Sequence, residues 1–280
     1  MTNYVLIDGS YYIFYRYYAL NVWWKLVTLS VGENENIDNA PIDSPEFVDK
    51  FKTTFVNKIH DINKKLKIKN SIKYVGKDCK RHEIWRTKLF PEYKANRDSS
   101  NKTNKPNFQG SPFFNIVEME NLYENAGVKQ ILYYPSLEAD DCIALFAKHL
   151  YKTDPDAHIW IIASDMDYLQ ITNDRIHLYD LKFKNVKESK NSTGDPKCDL
   201  FCKIVAGDKS DNIPSIFKKC GIKTAQKYFK DKDLFEKMLE KNKEAQELYK
   251  LNTTLVDFNS IPSELVEGFM NKYTKETDVS

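Results

Sequence analysis

Short apolar stretches of β-strand character recur through the first 180 residues of this chain, and nearly every one is followed by carboxylates. Tyr4-Val5-Leu6-Ile7 runs into Asp8, and Ser71-Ile72-Lys73-Tyr74-Val75 precedes Asp78. Ile131-Leu132-Tyr133-Tyr134 leads to Glu138, Asp140 and Asp141, and His158-Ile159-Trp160-Ile161-Ile162-Ala163 leads to Asp165 and Asp167. Asp208 and Asp211 form a last group. Strand, helix and strand alternate up to about Asp180, the rhythm of a mostly parallel sheet with helices on both faces. The carboxyl ends of such strands share one edge, where ligands bind. Nine carboxylates far apart in sequence should therefore meet there. Like charges do not share a site without cations, and oxygen ligands with no matching His or Cys suit Mg²⁺, with Mn²⁺ as a substitute. The pattern implies two-metal phosphoryl transfer.

Net charge over the 280 residues is only +2 and says little about partners. Its distribution says more. Between Lys50 and Lys105 stand 17 Lys and Arg against 5 Asp and Glu, a footprint for a polyanion. For Lys64 to Lys69 alone, a solvated helix face explains the charge equally well. Five cysteines without a C-x-x-C pair, and five scattered histidines, make no zinc pattern. Small buried thiols in a reducing compartment are the better reading. The first apolar run is short and ends in Asp8, unlike a signal peptide, and no run approaches the ~20 apolar residues of a bilayer span. A soluble intracellular protein without a membrane partner is expected.

Tyr11 to Val31 is crowded with aromatics and predicts a partly helical segment. After a polar loop from Gly32 to Asp43, Ser44 and Pro45 open a helix whose Phe47, Phe51, Phe55, Ile59 and Ile62 fall at helical spacing. That stripe predicts core. Arg97 to Gly110 is rich in Asn, Ser and Lys and has little to bury, so it predicts a functional or disordered loop. A second polar insertion, Lys182 to Lys197, precedes helical sequence from Cys198 onward, and the tail after Ile261 has modest helical character. The expected organisation is a core over 1–197, including a basic arch loop at about 91–112. A helical region over 198–280 packs on it as one unit.

Glu138 and Asp141 stand three apart at a helix start and share a face, with Asp140 on another side. Capping explains one or two of them, and Asp165 and Asp167 could serve a turn. Their coincidence at successive strand ends weakens both alternatives.

The motifs Leu6-Ile7-Asp8-Gly9-Ser10, Asp78 with Arg81-His82-Glu83, and Tyr93-Lys94-Ala95-Asn96-Arg97 stand in this order. Glu138-Ala139-Asp140-Asp141, Ser164-Asp165-Met166-Asp167 and Gly207-Asp208-Lys209-Ser210-Asp211-Asn212-Ile213-Pro214 follow. Together they resemble the flap endonuclease and 5′-nuclease family over roughly Met1 to Phe229. The resemblance implies a PIN-like α/β fold and a metal-dependent nuclease that cuts DNA flaps and duplex 5′ ends in replication or repair. One metal site would use Asp8, Asp78, Glu138 and Asp140. The other would use Asp141, Asp165, Asp167, Asp208 and, less directly, Asp211, some of them through water. Lys94 and Arg97 would contact the reacting phosphate at the foot of an arch, where cations stabilise phosphoryl oxygens, and Arg81 would contact the nucleic acid nearby. Tyr93 either stacks on an unpaired base or packs the base of the loop.

The resemblance also implies a helix–turn–helix element over Gly207 to Phe229 that grips duplex backbone. Gly221 and Thr224 would lie at its turn, with Lys218, Lys219, Lys223 and Lys227 adding charge and a K⁺ ion bound by loop carbonyls. Any one of those lysines could equally be an ordinary surface residue. Lys219 stands where the family has the first turn glycine, and Met166 replaces a residue often basic.

The nearest enzymatic rival is a PIN-type ribonuclease, against which the duplex-binding element argues. A haloacid-type phosphatase would need Asp where Ser10 stands. A non-catalytic nucleic-acid-binding subunit would tolerate loss of a carboxylate, yet all nine are present. DNA, and RNA–DNA hybrid with it, are the expected partners of a monomer. No sliding-clamp peptide of the glutamine-plus-paired-aromatics type occurs.

Overall fold

The structure is a computed structural model that describes residues 1–31, 44–99 and 111–274. Five strands, β1 (Thr2–Asp8), β2 (Ile72–Gly76), β3 (Gln130–Leu132), β4 (Ala157–Ile162) and β5 (Ile176–Tyr179), form one sheet in the order β3-β2-β1-β4-β5. Every pairing is parallel. β1 is central, and its last residue pairs with Gly76 while Ile7 pairs with Ile162, so three strand ends stop level.

The first half contains α1 (Gly9–Val31), α2 (Pro45–Leu66), α3 (Trp85–Leu89), α4 (Asn96–Ser99), α5 (Ser111–Met119) and α6 (Leu122–Asn125). α7 (Ala139–Thr153) follows β3. Beyond β5 come α8 (Pro196–Ala206), α9 (Ile222–Lys230), α10 (Lys232–Glu240), α11 (Lys243–Val256) and α12 (Ser263–Thr274). Among the described residues no helix is long and apolar enough to cross a membrane.

The Ser44 hydroxyl accepts from the Phe47 amide and Pro45 starts α2, the expected opening of that helix. All five residues of its stripe are fully buried against α1 and one sheet face, each burial stabilising by about 1.5–3 kcal/mol. α7 and α12 contribute to the core on the other face. α1 is helical throughout rather than in part. β3 is shorter than its apolar run, because the Tyr273 hydroxyl of α12 accepts from the Tyr133 amide (2.7 Å) and donates to the Tyr133 carbonyl (2.9 Å). The loop expected from Arg97 onward begins as α4, and its residues 100–110 lie outside the described residues, as do 32–43.

Candidate active site at the strand ends

Asp8 ends β1, Asp78 lies two residues past β2, Glu138 is the N-cap of α7, and Asp165 caps the 3-10 turn after β4. Gly76 makes their approach possible. A Cβ there would lie 2.7 Å from the Ile143 side chain and 2.8 Å from the Ala139 carbonyl, so the first turns of α7 rest directly on the end of β2. Asp8, Asp78, Glu138, Asp140 and Asp165 line one cleft of about 200 Å³, with Lys94, Arg97, Ser10 and Phe14 also on its walls.

Each carboxylate is oriented. Asp8 accepts from the Tyr11 amide at 2.9 Å and the Tyr168 hydroxyl at 3.4 Å. Asp78 accepts from the Ser10 hydroxyl at 2.5 Å and the Ala139 amide at 2.8 Å. Glu138 takes Lys94 Nζ at 2.6 Å, Arg86 Nη1 at 3.0 Å and the Tyr93 hydroxyl at 3.1 Å. Asp165 accepts from the Asp167 amide at 2.9 Å.

Charge is unevenly compensated. Burial, then repulsion from Asp78, pushes the Asp8 carboxyl up to about 7. Burial, then Asp141 and Glu138, pushes Asp140 well above the usual carboxylate range. Burial also acts on Glu138, but Lys94 and Arg86 outweigh it and hold that carboxyl below its ordinary value.

The remaining carboxylates stand beside the cleft. Lys203 of α8 bridges Asp167 and Asp208, 2.8 Å from the latter. Burial, only partly offset by Lys203, brings Asp167 up to about 7. At Asp208 the burial effect is overcome by Lys203 and by Ser210, which donates from its amide and hydroxyl, so the carboxyl falls to about 2. Asp211 takes Arg97 Nη2 at 2.6 Å and lies 3.8 Å from Lys94 Nζ.

Asp141 has a different use. One oxygen from each of Asp141, Glu138 and Asp140 lies within 4.8 Å of the others. Yet Asp141 is fully buried, accepts both Arg86 terminal nitrogens (2.7 and 2.8 Å) and the Trp85 indole (3.0 Å), and closes a capping box with Glu138. Arg86 in turn donates to the Leu255 carbonyl at 2.7 Å, tying α3, α7 and α11 together. These contacts occupy Asp141 with Arg86 and Trp85, so its share in the second metal site that the resemblance implies would run through water. Tyr93 is buried, with its hydroxyl on Glu138 and Asp211, which favours packing the base of the loop, one of the two roles expected for it.

Sequence reasoning passed over Arg86, Trp85 and Lys203. No spacing singles them out, and only the fold brings them to the carboxylates. Arg81 donates to the Lys94 carbonyl and braces that residue's backbone.

The predicted duplex element starts beside the cleft, at Asp208 and Asp211, and runs on into α9. Gly221 is the N-cap of α9, with no side chain capping it, and Thr224 donates its amide to the Gly221 carbonyl at 3.0 Å. Lys218, Lys219, Lys223 and Lys227 are all exposed there. Lys219 adopts φ +58, the left-handed conformation that a glycine takes easily, so the turn forms without one. All five cysteines are free and buried.

Comparison with known proteins agrees with this architecture. The family described as 5′-3′ exonuclease, N-terminal resolvase-like domain, matches residues 3–197. A protein named 5′-3′ exonuclease from Buchnera aphidicola subsp. Acyrthosiphon pisum (strain APS) is 28% identical over 228 residues, covering 79% of this chain and 68% of the relative. A protein named ribonuclease H from Enterobacteria phage T4 is 26% identical over 213 residues, covering 68% of this chain and 65% of the relative. In fold, the chain is similar to a bacteriophage T5 flap endonuclease variant crystallised with DNA and metal ions. The TM-score is 0.64 at 19% identity, and the match covers 99% of both chains. With the domain match spanning residues 3–197 and the acidic cleft at its strand ends, the chain belongs to the 5′-3′ exonuclease family.

Proposed function

We propose that the chain is a metal-dependent, structure-specific 5′ nuclease that hydrolyses phosphodiester bonds in DNA flaps and at duplex 5′ ends, working as a monomer in primer or flap removal. The observation that carries this reading is the convergence of Asp8, Asp78, Glu138, Asp140 and Asp165 on one small cleft with Lys94 and Arg97 on its walls.

The residues fit divalent metal. Their donors are all oxygen, and burial with neighbouring carboxylates pushes Asp8 and Asp140 up, an effect that bound cations would oppose. Asp8, Asp78, Glu138 and Asp140 would hold one ion, and Asp165, Asp167 and Asp208 a second, with Asp141 and Asp211 acting less directly. When bound, two Mg²⁺ ions would supply an activated water and neutralise charge on the attacked phosphate and the departing oxygen. The protein's own groups do the rest. Lys94 and Arg97 orient phosphoryl oxygens in the cleft. Arg86 and Tyr93 fix Glu138, while Lys203 keeps Asp167 and Asp208 together. Duplex backbone would rest on the exposed lysines and free helix start at α9. A K⁺ ion held by carbonyls of that turn is what the resemblance adds, and Lys219 takes there the left-handed conformation of the glycine it replaces.

Similarity to a protein named ribonuclease H favours RNA–DNA hybrid as an additional substrate. The test is incubation with Mg²⁺ and end-labelled 5′ flap, nicked duplex, RNA–DNA hybrid and single-stranded RNA. Cleavage of the three duplex substrates, abolished by a chelator, is expected. Cutting confined to single-stranded RNA would instead identify a PIN-type ribonuclease.

A further inference from the structure

A second cavity, of about 360 Å³, opens beside the cleft between α1, α5 and the ends of β2 and β3. Its walls are largely apolar: Ile13, Val75, Val117 and Ile131, with the rings of Phe114 and Tyr133. A volume of this size lies in the range of small-ligand sites. Two features tie it to the chemistry next door. Ser10 lines both cavities, and its hydroxyl is the group that donates to Asp78. Lys77 stands on the rim immediately before Asp78 in the chain. Its ammonium lies 6.0 Å from the centre of the Tyr133 ring and pairs with Glu118 at 2.7 Å. That pair is weak, since both side chains are largely exposed (45% and 68%) and solvent screens them. A phosphate could displace Glu118 at little cost. An apolar slot with aromatic walls, a cation at its mouth and a carboxylate cleft one residue away together match one nucleotide. The base has apolar faces for the slot, and its phosphate carries charge for Lys77.

We propose that this cavity is a nucleobase subsite, which receives one unpaired base flanking the phosphate cut in the neighbouring cleft, with Lys77 exchanging Glu118 for the phosphate of that nucleotide. The inference rests on the nuclease reading given above and adds a place where the strand is gripped by a base. It makes the enzyme sensitive to the presence of a base at one position of the substrate.

The experiment uses the full chain with Mg²⁺ and a 5′-flap substrate in which an abasic residue is walked, one position at a time, across the scissile phosphate. Single-turnover cleavage should slow by about tenfold at one position, the scale of losing a stacked base, with smaller changes elsewhere. Val117→Phe and Ile131→Phe fill the cavity from α5 and from β3. Each should slow cleavage of the intact flap by a similar factor and abolish the penalty at that position alone. Lys77→Gln leaves the walls untouched and should reduce the same penalty severalfold, so a variant of unaltered core packing also reads the subsite. A penalty absent at every position overturns the proposal. So does one that is unchanged in the filled variants or, should those fail to fold, unchanged in Lys77→Gln. An intact flap left uncut by the wild-type protein would sink the nuclease reading itself, which is a different failure.

Discussion

At the scale of single residues, Lys94 has the most constrained position near the cleft. Its backbone sits at φ +57, its amide donates to the Asp211 carbonyl at 2.9 Å, and its ammonium rests between Glu138 and Asp211. Burial works against its charge, but Glu138 and Asp211 outweigh that and push its pKa above the ordinary lysine value. Such a group is a preorganised cation. Lys94→Ala leaves Glu138 held by Arg86 and Tyr93, so the fold should persist while single-turnover cleavage falls about 10²- to 10³-fold. A variant that cuts at the wild-type rate would remove Lys94 from the chemistry. Lys219 offers a test of backbone strain. A non-glycine residue in the left-handed region costs about 1–2 kcal/mol, offset in part by the entropy glycine loses on folding. Lys219→Gly should therefore raise unfolding stability by up to about 1 kcal/mol, and Lys219→Val should lower it. Denaturant midpoints in the reverse order would contradict the left-handed turn. Lys94 and Arg97 were legible from their motif, whereas Arg86 and Lys203 were not. A single basic residue in a short helix carries no spacing signal, and its meaning comes from the carboxylate that the fold sets against it.

At the scale of elements, α12 works as a latch on the strand that leads to Glu138. Tyr273 and Lys272 both donate to the Tyr133 carbonyl, at 2.9 and 3.0 Å. Gly268 packs so closely that a Cβ would run into the Tyr134 ring and hydroxyl. Gly268→Ala should thus destabilise the protein by about 1–3 kcal/mol through overpacking, read as a shifted denaturant midpoint. An unshifted midpoint would show that Tyr134 moves aside freely. β4 and β5 carry a different device. The His177 ring lies 4.6 Å from Trp160 and stacks on His158 at 5.9 Å, with Asp174 and Lys187 also acting on its charge. Burial, then His158, holds His177 below its ordinary value. The unfolded chain takes up that proton near pH ~6.5, and the folded chain only at lower pH. The stabilisation is complete above the unfolded value and is lost as pH falls from there through the lower folded value. His177→Gln should flatten the loss of stability between about pH 7.5 and about pH 5.5; an unchanged slope would show that this histidine does not contribute. Periodicity made α2 readable because its stripe faces one core. It overextended β3 and understated α12, because each is shaped by contact with the other.

At the scale of the whole molecule, one strand order decides where the chemistry sits. A parallel sheet centred on β1 delivers Asp8, Asp78, Glu138 and Asp165 to one edge, and that convergence was legible before any coordinates because strands and carboxylates alternate in the sequence. What the alternation did not reveal is how the cluster is tolerated. Lys94, Arg97, Arg86 and Lys203 are built in among the carboxylates and neutralise Glu138, Asp211, Asp141, Asp167 and Asp208 in part, leaving Asp8 and Asp140 in need of an external cation. The central claim is that this residual negative charge exists to hold divalent metal for phosphodiester cleavage, while the duplex is gripped elsewhere. Asp165→Ala tests it most directly, because Asp165 lines the cleft, is exposed, and has no basic partner at hydrogen-bond distance among the described residues. Cleavage of a 5′-flap duplex in Mg²⁺ and equilibrium binding of the same duplex are measured side by side for wild type and variant. The expected result is cleavage by the wild type alone, with binding by the two proteins within a few-fold of each other. Turnover by Asp165→Ala close to the wild-type rate would contradict the assignment of this cleft to metal-dependent cleavage.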